Sequence, residues 1–258
     1  MLYINIMNTT YNTRAIFNSK HRTSGTATNP VFRIDPYFRN VSGFSVDLAI
    51  VPVTMYVIDT HNNTLTYSVP GHQPALSTTI ASRNYTPTEL ATAIKTALAA
   101  ADTVTTQTYN CTYNTHTLKF TLSASVGYIL RVSSSINSVL GFSTSVDTSV
   151  PVAGVEASEV MQLNVPEYLI LKSKTLGQLL CHNSTYVHGV QKSNTLCTIP
   201  IDQPFGTFVH YKPNYRYTFT TPEKHLNSID LQLVDPDTGI AADLNGYGFT
   251  VSLTFYLD

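Results

Sequence analysis

Hydrophobic positions recur along this chain at two spacings, and one of them dominates. The final segment shows it most clearly. In "FTVSLTFYL", Phe249, Val251, Leu253, Phe255 and Leu257 alternate with Thr250, Ser252, Thr254 and Tyr256. A period of two places each set on one face of a strand, the apolar set toward a core. So regular a strand is expected to lie paired inside a sheet. The same period runs through "TLKFTLS" (Leu118, Phe120, Leu122) and "IDLQLV" (Ile229, Leu231, Leu233). In "FSVDLAIVPV" it puts Phe44, Val46, Leu48 and Ile50 on one face, and Pro52 then breaks or bends the strand. "YRYTFT" from Tyr215, "YLILKS" and "TLCTIPI" predict further strands, the last two shorter or more buried. Turn signals separate them: "HNN", "VPGHQP", "DPDTG" and "LNGYG".

The second spacing occurs once, in "NYTPTELATAIKTALAAAD". Thr86 can cap the first-turn amides, Pro87 sits where a helix needs no N–H, and Glu89 can reach back to complete a capping box. Leu90, Ile94 and Leu98 then recur at i, i+4 and i+8, with Ala91, Ala97 and Ala101 beside them. The pattern predicts an amphipathic helix over about 86–101 that covers a sheet edge or end. It is read as architecture, not as an active site. Residues 143–159, "STSVDTSVPVAGVEASE", hold no large apolar residue besides valine and are expected to be a long loop that orders against a neighbour. Many short strands with one inserted helix predict an all-β fold, a jelly-roll β-sandwich of eight strands with extras. The expected organisation is one domain over 1–258 with an N-terminal arm of about 1–30 and no internal repeat.

Charge narrows the functional classes. The 258 residues carry a formal net charge of -1, and 12% are charged, with no run of like sign. A protein that grips nucleic acid by counterion release shows a basic patch or stripe, so a dedicated nucleic-acid site is not expected. Thr, Ser, Asn and Tyr must supply the polar surface, and hydroxyls desolvate more cheaply than ammonium or carboxylate groups. The opening "MLYINIMNTTYNTRA" lacks the pattern of a signal peptide. No stretch approaches the roughly 20 apolar residues of a membrane span. The odd cysteine count, Cys111, Cys181 and Cys197, reads as reduced structural thiols of a cytosolically made protein.

A search for chemistry finds little. G-x-S-x-G, H-E-x-x-H, the phosphate-binding loop and C-x-x-C are all absent. "CHNSTYVHGVQKSNTLC" gathers Cys181, His182, His188 and Cys197, but adjacent Cys-His cannot easily both face one ion, so no metal is expected. "DPDTG" opens like a calcium loop at Asp235 and Asp237, yet its glycine stands one position early and Gly246 occupies the closing position. A β-turn with Pro236 at its second position explains it better. No cofactor and no enzymatic activity are expected. In "FVHYKPNYRYTF", Tyr211, Tyr215 and Tyr217 stand beside His210, Lys212 and Arg216. Such a cluster could take sugar or single-stranded nucleic acid, or be a half-buried sheet face or subunit interface. With no wider basic patch, the three tyrosines are candidate subunit-interface residues, together with Ser143–Glu159.

Several segments, taken in order, resemble the penton, or minor capsid, proteins of virophages, polinton-like viruses and adintoviruses. "FNSKHRTSG" followed by "PVFRI" is similar to that family's Asn-Ser-x-x-Arg opening, and "VPVTMYVIDTHNN" to its Val-Pro-x-Thr-x-Tyr-x-Ile element. The helix start matches Tyr-Thr-x-x-Glu-Leu, and "SVLGF", "VPEYLILKS", "IPIDQPFGTFVHY" and "LNSIDLQLVDPDTG" follow in order. The resemblance spans nearly the whole chain. It implies a jelly-roll capsid subunit, made in the host cytoplasm and built into the virion as a homopentamer at the icosahedral vertex. Its partners would be the major capsid protein and, as a further candidate, a spike or receptor. This chain departs from the family in having no Arg-Gly-Asp and no evident long inserted receptor domain. It is also short for two complete jelly rolls. The alternative is a spike head or carbohydrate-binding β-sandwich using the Tyr211–Tyr217 segment; a hydrolase ranks third.

Overall fold

A computed structural model of the chain describes residues 12–34, 38–72, 74–103, 105, 107–179, 194–213, 216–223 and 225–257. It opens with β1 (Asn12–Asn18), β2 (Ser24–Gly25), β3 (Pro30–Arg33) and the long β4 (Val41–Pro52). Next come β5 (Thr64–Ser68), β6 (Leu76–Thr79), α1 (Pro87–Ala101), β7 (Tyr109–Asn114) and β8 (Lys119–Ala124). They are followed by β9 (Tyr128–Leu130), α2 (Asn137–Leu140), β10 (Thr148–Val150) and β11 (Val155–Glu156). Then come β12 (Tyr168–Lys172), α3 (Lys174–Leu179), β13 (Thr195–Pro200) and β14 (Phe208–Tyr211). The chain ends with β15 (Arg216–Glu223), β16 (Ser228–Asp230), β17 (Gln232–Val234) and β18 (Thr250–Leu257). The contacts divide the chain into two compact units: Met1–Met55 with Pro166–Asp258, and Tyr56–Val165.

The first unit is a jelly roll. One sheet has the order β1-β18-β4-β14, with β15 also on β4. The other is built from two ladders, β2-β3-β16 and β13-β12-β17, which meet because β16 runs on into β17 across the buried Leu231. The pairing is nested. First strand meets last (β1 with β18), β3 meets β16, β4 meets β14 and β15, and β12 meets β13. All these pairs are antiparallel, as in one long hairpin rolled into two layers. The expected all-β jelly-roll class therefore holds. Within the segment expected as an N-terminal arm (about 1–30), residues 12–18 and 24–25 are strand, and β1 pairs with β18 along its full length.

The alternation read in the final strand holds for Phe249, Val251, Leu253 and Phe255, which are buried, while Leu257, beyond a register shift after Tyr256, is half-exposed. In β4 it needs correcting. Phe44 and Val46 are buried as expected, but beyond them Ala49 and Val51 face the core while Leu48 and Ile50 are half-exposed. The cause is a β-bulge. Ser252 pairs with Leu48 and Leu253 with Val46, so Asp47 is an extra residue that turns the strand over. Its carboxylate holds the bulge open on the outer face. Ser45 Oγ donates to Oδ1 at 2.9 Å, Thr254 Oγ1 to Oδ2 at 2.7 Å, and Arg14 Nε lies 3.4 Å from Oδ2.

The second unit is inserted in sequence between β4 and β12. Where a single domain and no long insertion are expected from the sequence, residues 56–165 form a unit with its own core. No Gly- or Pro-rich linker marks either junction, so the division left no compositional trace. Two antiparallel sheets, β10-β9-β5-β6 and β11-β8-β7, carry α1 against β6 and β7, an edge strand of each. Helix α1 starts as predicted: Thr86 caps it, its Oγ1 accepting from Glu89 N at 3.3 Å while Glu89 Oε2 accepts from Thr86 N at 2.8 Å. Leu90, Ile94 and Leu98 are fully buried in a core with Leu65, Phe120, Leu122, Leu130 and Leu140. Tyr67, Tyr109 and Tyr128 add three mutually edge-on rings 5.5–5.9 Å apart.

Three further expectations change. Leu118 does not belong to the β8 face; with φ 57° it makes the turn before the strand and is 46% exposed. Residues 143–159 are not one loop, because β10 pairs with β9 and β11 with β8. Two short helices join the expected one. In α2, "LGF" is a terminator: Gly141 takes φ 79°, and a Cβ there would stand 2.3 Å from the Glu159 carbonyl oxygen. Helix α3 begins where Asp230 Oδ2 and Oδ1 accept from the amides of Lys174 (2.8 Å) and Thr175 (2.7 Å). Burial alone would push the Asp230 carboxyl up, but those hydrogen bonds together hold it below the usual carboxylate range.

Ile94→Ala is expected to cost about 2–5 kcal/mol in chemical denaturation, as a large-to-small change in a filled core. An unchanged midpoint would mean that α1 is not packed as described. Thr86→Ala should cost about 0.5–2 kcal/mol. The backbone and hydroxyl of Thr86 hold the Glu89 carboxyl below its ordinary value. Its share of the cap is therefore complete above the unfolded carboxylate pKa and is lost as pH falls through the lower folded one, so the Thr86→Ala deficit narrows in acid.

Cys111 and Cys197 are buried free thiols whose pKa burial raises to about 12, whereas Cys181, His182 and His188 lie outside the described residues. Folded protein at pH 8 should leave these two thiols unmodified by Ellman's reagent, and denaturant should release them. Rapid native labelling of either would contradict the burial.

Candidate functional site

The outer face of the sheet β1-β18-β4-β14 is built by strict alternation outside the bulge. Ala15 and Phe17 point inward from β1, so Arg14, Ile16 and Asn18 point out; Val251, Leu253 and Phe255 do the same for Thr250 and Thr254. Register then lays down rows. Asn18, Thr250, Ile50 and His210 form one, joined at its start by Asn18 Nδ2 donating to Thr250 Oγ1 at 3.1 Å. Ile16, Ser252 and Leu48 form the next. Strands β1, β4 and β18 contain two charged residues, Arg14 and Asp47, and these face each other. Arg14 Nε also donates to Ser252 Oγ at 2.8 Å. On these three strands the face is thus hydroxyl-rich and its two charges pair with each other, with Ile16 45% exposed on it.

Strand β14 continues the same face. Phe208 stands opposite Pro52 and is 51% exposed, and Phe205, in the turn just before, is 52% exposed. That turn is set by Gly206 at φ 85°, with Thr207 Oγ1 donating to the Pro204 carbonyl at 2.6 Å. Sequence reasoning passed over both phenylalanines. A signal was present, because two Phe residues three apart across a glycine cannot both extend the alternation of one strand.

Of the tyrosines selected from the sequence, Tyr215 lies outside the described residues. Tyr211 pairs with the buried Ala49 and shares the side of Val209, so it lies on the inner side of β14 and is half-buried. Tyr217 stacks on the fully buried Phe44, ring centroids 4.8 Å apart and planes 17° from parallel. Its half-buried ring helps hold β15 onto β4. The structure therefore brings Tyr211 and Tyr217 to one strand line while turning both toward the core, with Phe208 and His210 outward.

The other candidate, Ser143–Glu159, belongs to the second unit. There Asp147 accepts from the Val132 amide and from Arg131 Nη1, both at 2.7 Å. The Val132 amide and then the Arg131 guanidinium hold its carboxyl below the usual range. Val146 and Val152 remain exposed on this segment. Two cavities open in this unit. One of about 470 Å³ is lined by Pro70, Val126, Ile129, Val150 and Pro151; the other, of about 520 Å³, lies between α1 and β6. Among the described residues, no three His, Cys, Asp or Glu side chains gather as metal ligands, and no helix is long and apolar enough to cross a membrane.

Comparison with known proteins gives a family and several solved structures, two of which follow. Residues 15–229 match a family of unknown function (DUF5901). No curated protein matches. The chain is similar to the mavirus penton protein at 10% identity, over 95% of this chain and 98% of that one, with a TM-score of 0.49. It is also similar to a chain of the Sputnik virophage structure at 14% identity, over 99% of this chain and 97% of that one, with a TM-score of 0.37.

Tyr217→Ala should lower the stability of the monomer by at least about 1 kcal/mol, the order of a stacked aromatic pair with its burial. Phe208→Ser should leave the melting curve within about 0.5 kcal/mol, as a surface change does. Large destabilisation by Phe208→Ser would mean that Phe208 serves the fold and not a surface.

Proposed function

Because the chain belongs to the family of unknown function (DUF5901), whose name assigns no activity, we propose its role from its own geometry: a structural virion protein, the penton subunit of an icosahedral capsid. The observation that carries the reading is the nested pairing of β1 with β18 and β4 with β14, a jelly roll on whose outer sheet face the charges of β1, β4 and β18, Arg14 and Asp47, pair with each other. The fold alone serves capsids, lectins and enzymes alike, so the surface decides. A face of hydroxyls, Ile16 and Phe208 suits close packing against another protein. The ordered sequence segments shared with penton proteins of virophages and their relatives agree with this.

Five copies around a vertex form a closed ring in which each subunit uses two different surfaces. One is the outer face with Phe205 and Phe208, with the half-buried Tyr211 and Tyr217 on the inner side of the same strands as further candidates. The exposed valines of Ser143–Glu159 are candidates for the other. The major capsid protein would surround the ring, and a spike or receptor would bind above it. Contacts of this obligate kind bury about 2,000 Å² or more.

Native mass spectrometry of purified protein should show a species at five times the 28.4 kDa chain mass. With so little net charge to screen, the species should persist from low to high salt. A chain that stays monomeric at high concentration would remove the penton reading and leave the jelly roll intact.

A further inference from the structure

The second unit carries a groove that its own chain leaves unfilled. Strand β6 is the last strand of its sheet and pairs with β5 alone, so its other edge presents unpaired backbone groups. Helix α1 runs beside that edge. Between them lies the cavity of about 520 Å³, walled on the helix by Thr92, Ala93, Thr96, Ala97 and Ala100. Small residues keep that flank low, leaving room for longer side chains from an incoming strand. The threonine hydroxyls are turned back onto the helix: Thr92 Oγ1 donates to the Thr88 carbonyl at 3.0 Å and Thr96 Oγ1 to the Thr92 carbonyl at 2.9 Å. The two charges at the groove mouth are also engaged, Glu89 by the Thr86 cap and Arg83 over the Tyr85 ring at 4.3 Å. An edge strand beside a helix with an uncharged trough between them is the arrangement that receives an extended peptide by strand addition.

The chain supplies a matching segment. Eleven residues precede the first described strand, "MLYINIMNTTY", and the first charged residue of the whole sequence is Arg14. Leu2, Ile4 and Ile6 alternate with Tyr3 and Asn5, the period-two pattern that an added strand needs. At about 3.3 Å per residue, eleven extended residues span roughly 35 Å. We propose that residues 2–6 of one copy add as a strand to β6 of a second copy, their apolar side chains lying against the Ala93–Ala97–Ala100 flank of α1. This rests on the multimeric reading above and names one contact within it.

The test mixes two full-length chains, one carrying Ile4→Cys and the other Thr96→Cys, under mild oxidation. Peptide mapping should recover a disulfide joining the two substituted positions, which in a mixture of single variants can form only between copies. Thr92→Arg, added to the Thr96→Cys chain, fills the trough with an exposed charged side chain and should abolish that link. Native mass of the same samples separates the two claims. A multimer without the link overturns the strand addition and spares the assembly; a monomer overturns both. A link formed only when both substitutions share one chain would overturn the claim for a second copy.

Discussion

Strand β4 is paired along both flanks, with β18 on one side and β14 and β15 on the other, so its register fixes theirs. Its twelve residues could not keep a strict period of two. Val41 and Phe44 are both fully buried three positions apart, as are Val46 and Ala49. Each interval contains an unpaired residue, Ser42 and Asp47 respectively, and each reverses which face the following side chains take. Placing an acid at the second bulge makes the irregularity specific. The carboxylate finds two hydroxyls and a guanidinium on the outer face, and on the inner side it would find only hydrocarbon, at several kcal/mol for an unpaired ion. A slip of one residue would put Asp47 inward. The bulge therefore sets both the core composition and the pairing of Asp47 with Arg14 on the outer face.

The second unit follows a different logic. Its core draws on residues from Ile58 to Ala157 alone, so it completes its own packing within the inserted segment. Burying Tyr67 and Tyr109 there required partners for their hydroxyls, and α1 supplies them, whereas the buried Tyr128 hydroxyl has no hydrogen-bond partner among the described residues. Tyr67 donates to the Leu98 carbonyl at 2.8 Å, one of the last-turn acceptors that a helix leaves open. Tyr109 donates to Asp102, the residue that ends the helix, at 2.9 Å, and the Thr105 amide donates to the same carboxylate at 2.9 Å. Burial raises the Tyr67 hydroxyl to about 12 and pushes Tyr109 and Tyr128 upward too, so all three stay protonated through neutral pH, Tyr67 and Tyr109 as donors. Tyrosines that looked like surface from sequence are here part of the core.

Much of the fold was legible from local pattern. The final strand, the capping box at Thr86 and Glu89, and the buried Ile229, Leu231 and Leu233 depend on neighbours in sequence, and periodicity reads those directly. What escaped depends on distant partners. The bulge at Asp47 is specified by Arg14 and Thr254, the cap of α3 by Asp230, and the stop at Gly141 by the close approach of Glu159. The interior placement of Tyr217 is set by Phe44. The two-unit division escaped for a related reason: both junctions are short and ordered, so composition does not shift where the chain changes cores. Aromatic-plus-basic patterning singled out β14 and β15, where Tyr211 and Tyr217 lie on the inner side. Sidedness there is inherited from the register of β4, which no window within the segment contains.

Neutrality also bears on how a ring of identical copies could close. Every charge on a contacting face is repeated at each interface, so an unmatched one is a cost multiplied by the symmetry. A face that cancels its charges internally removes that constraint and leaves the contact to shape and hydroxyl pairing, which can be satisfied against any complementary surface of the same chain. Arg14 meeting Asp47 within one subunit, and not across to a neighbour, fits this. So does the groove beside β6, whose flanking charges are consumed by Thr86 and Tyr85 before any partner arrives. In both places selectivity must come from backbone geometry and apolar fit. Such contacts form once the right edges are in register, and they lack the long-range attraction that would draw wrong partners in.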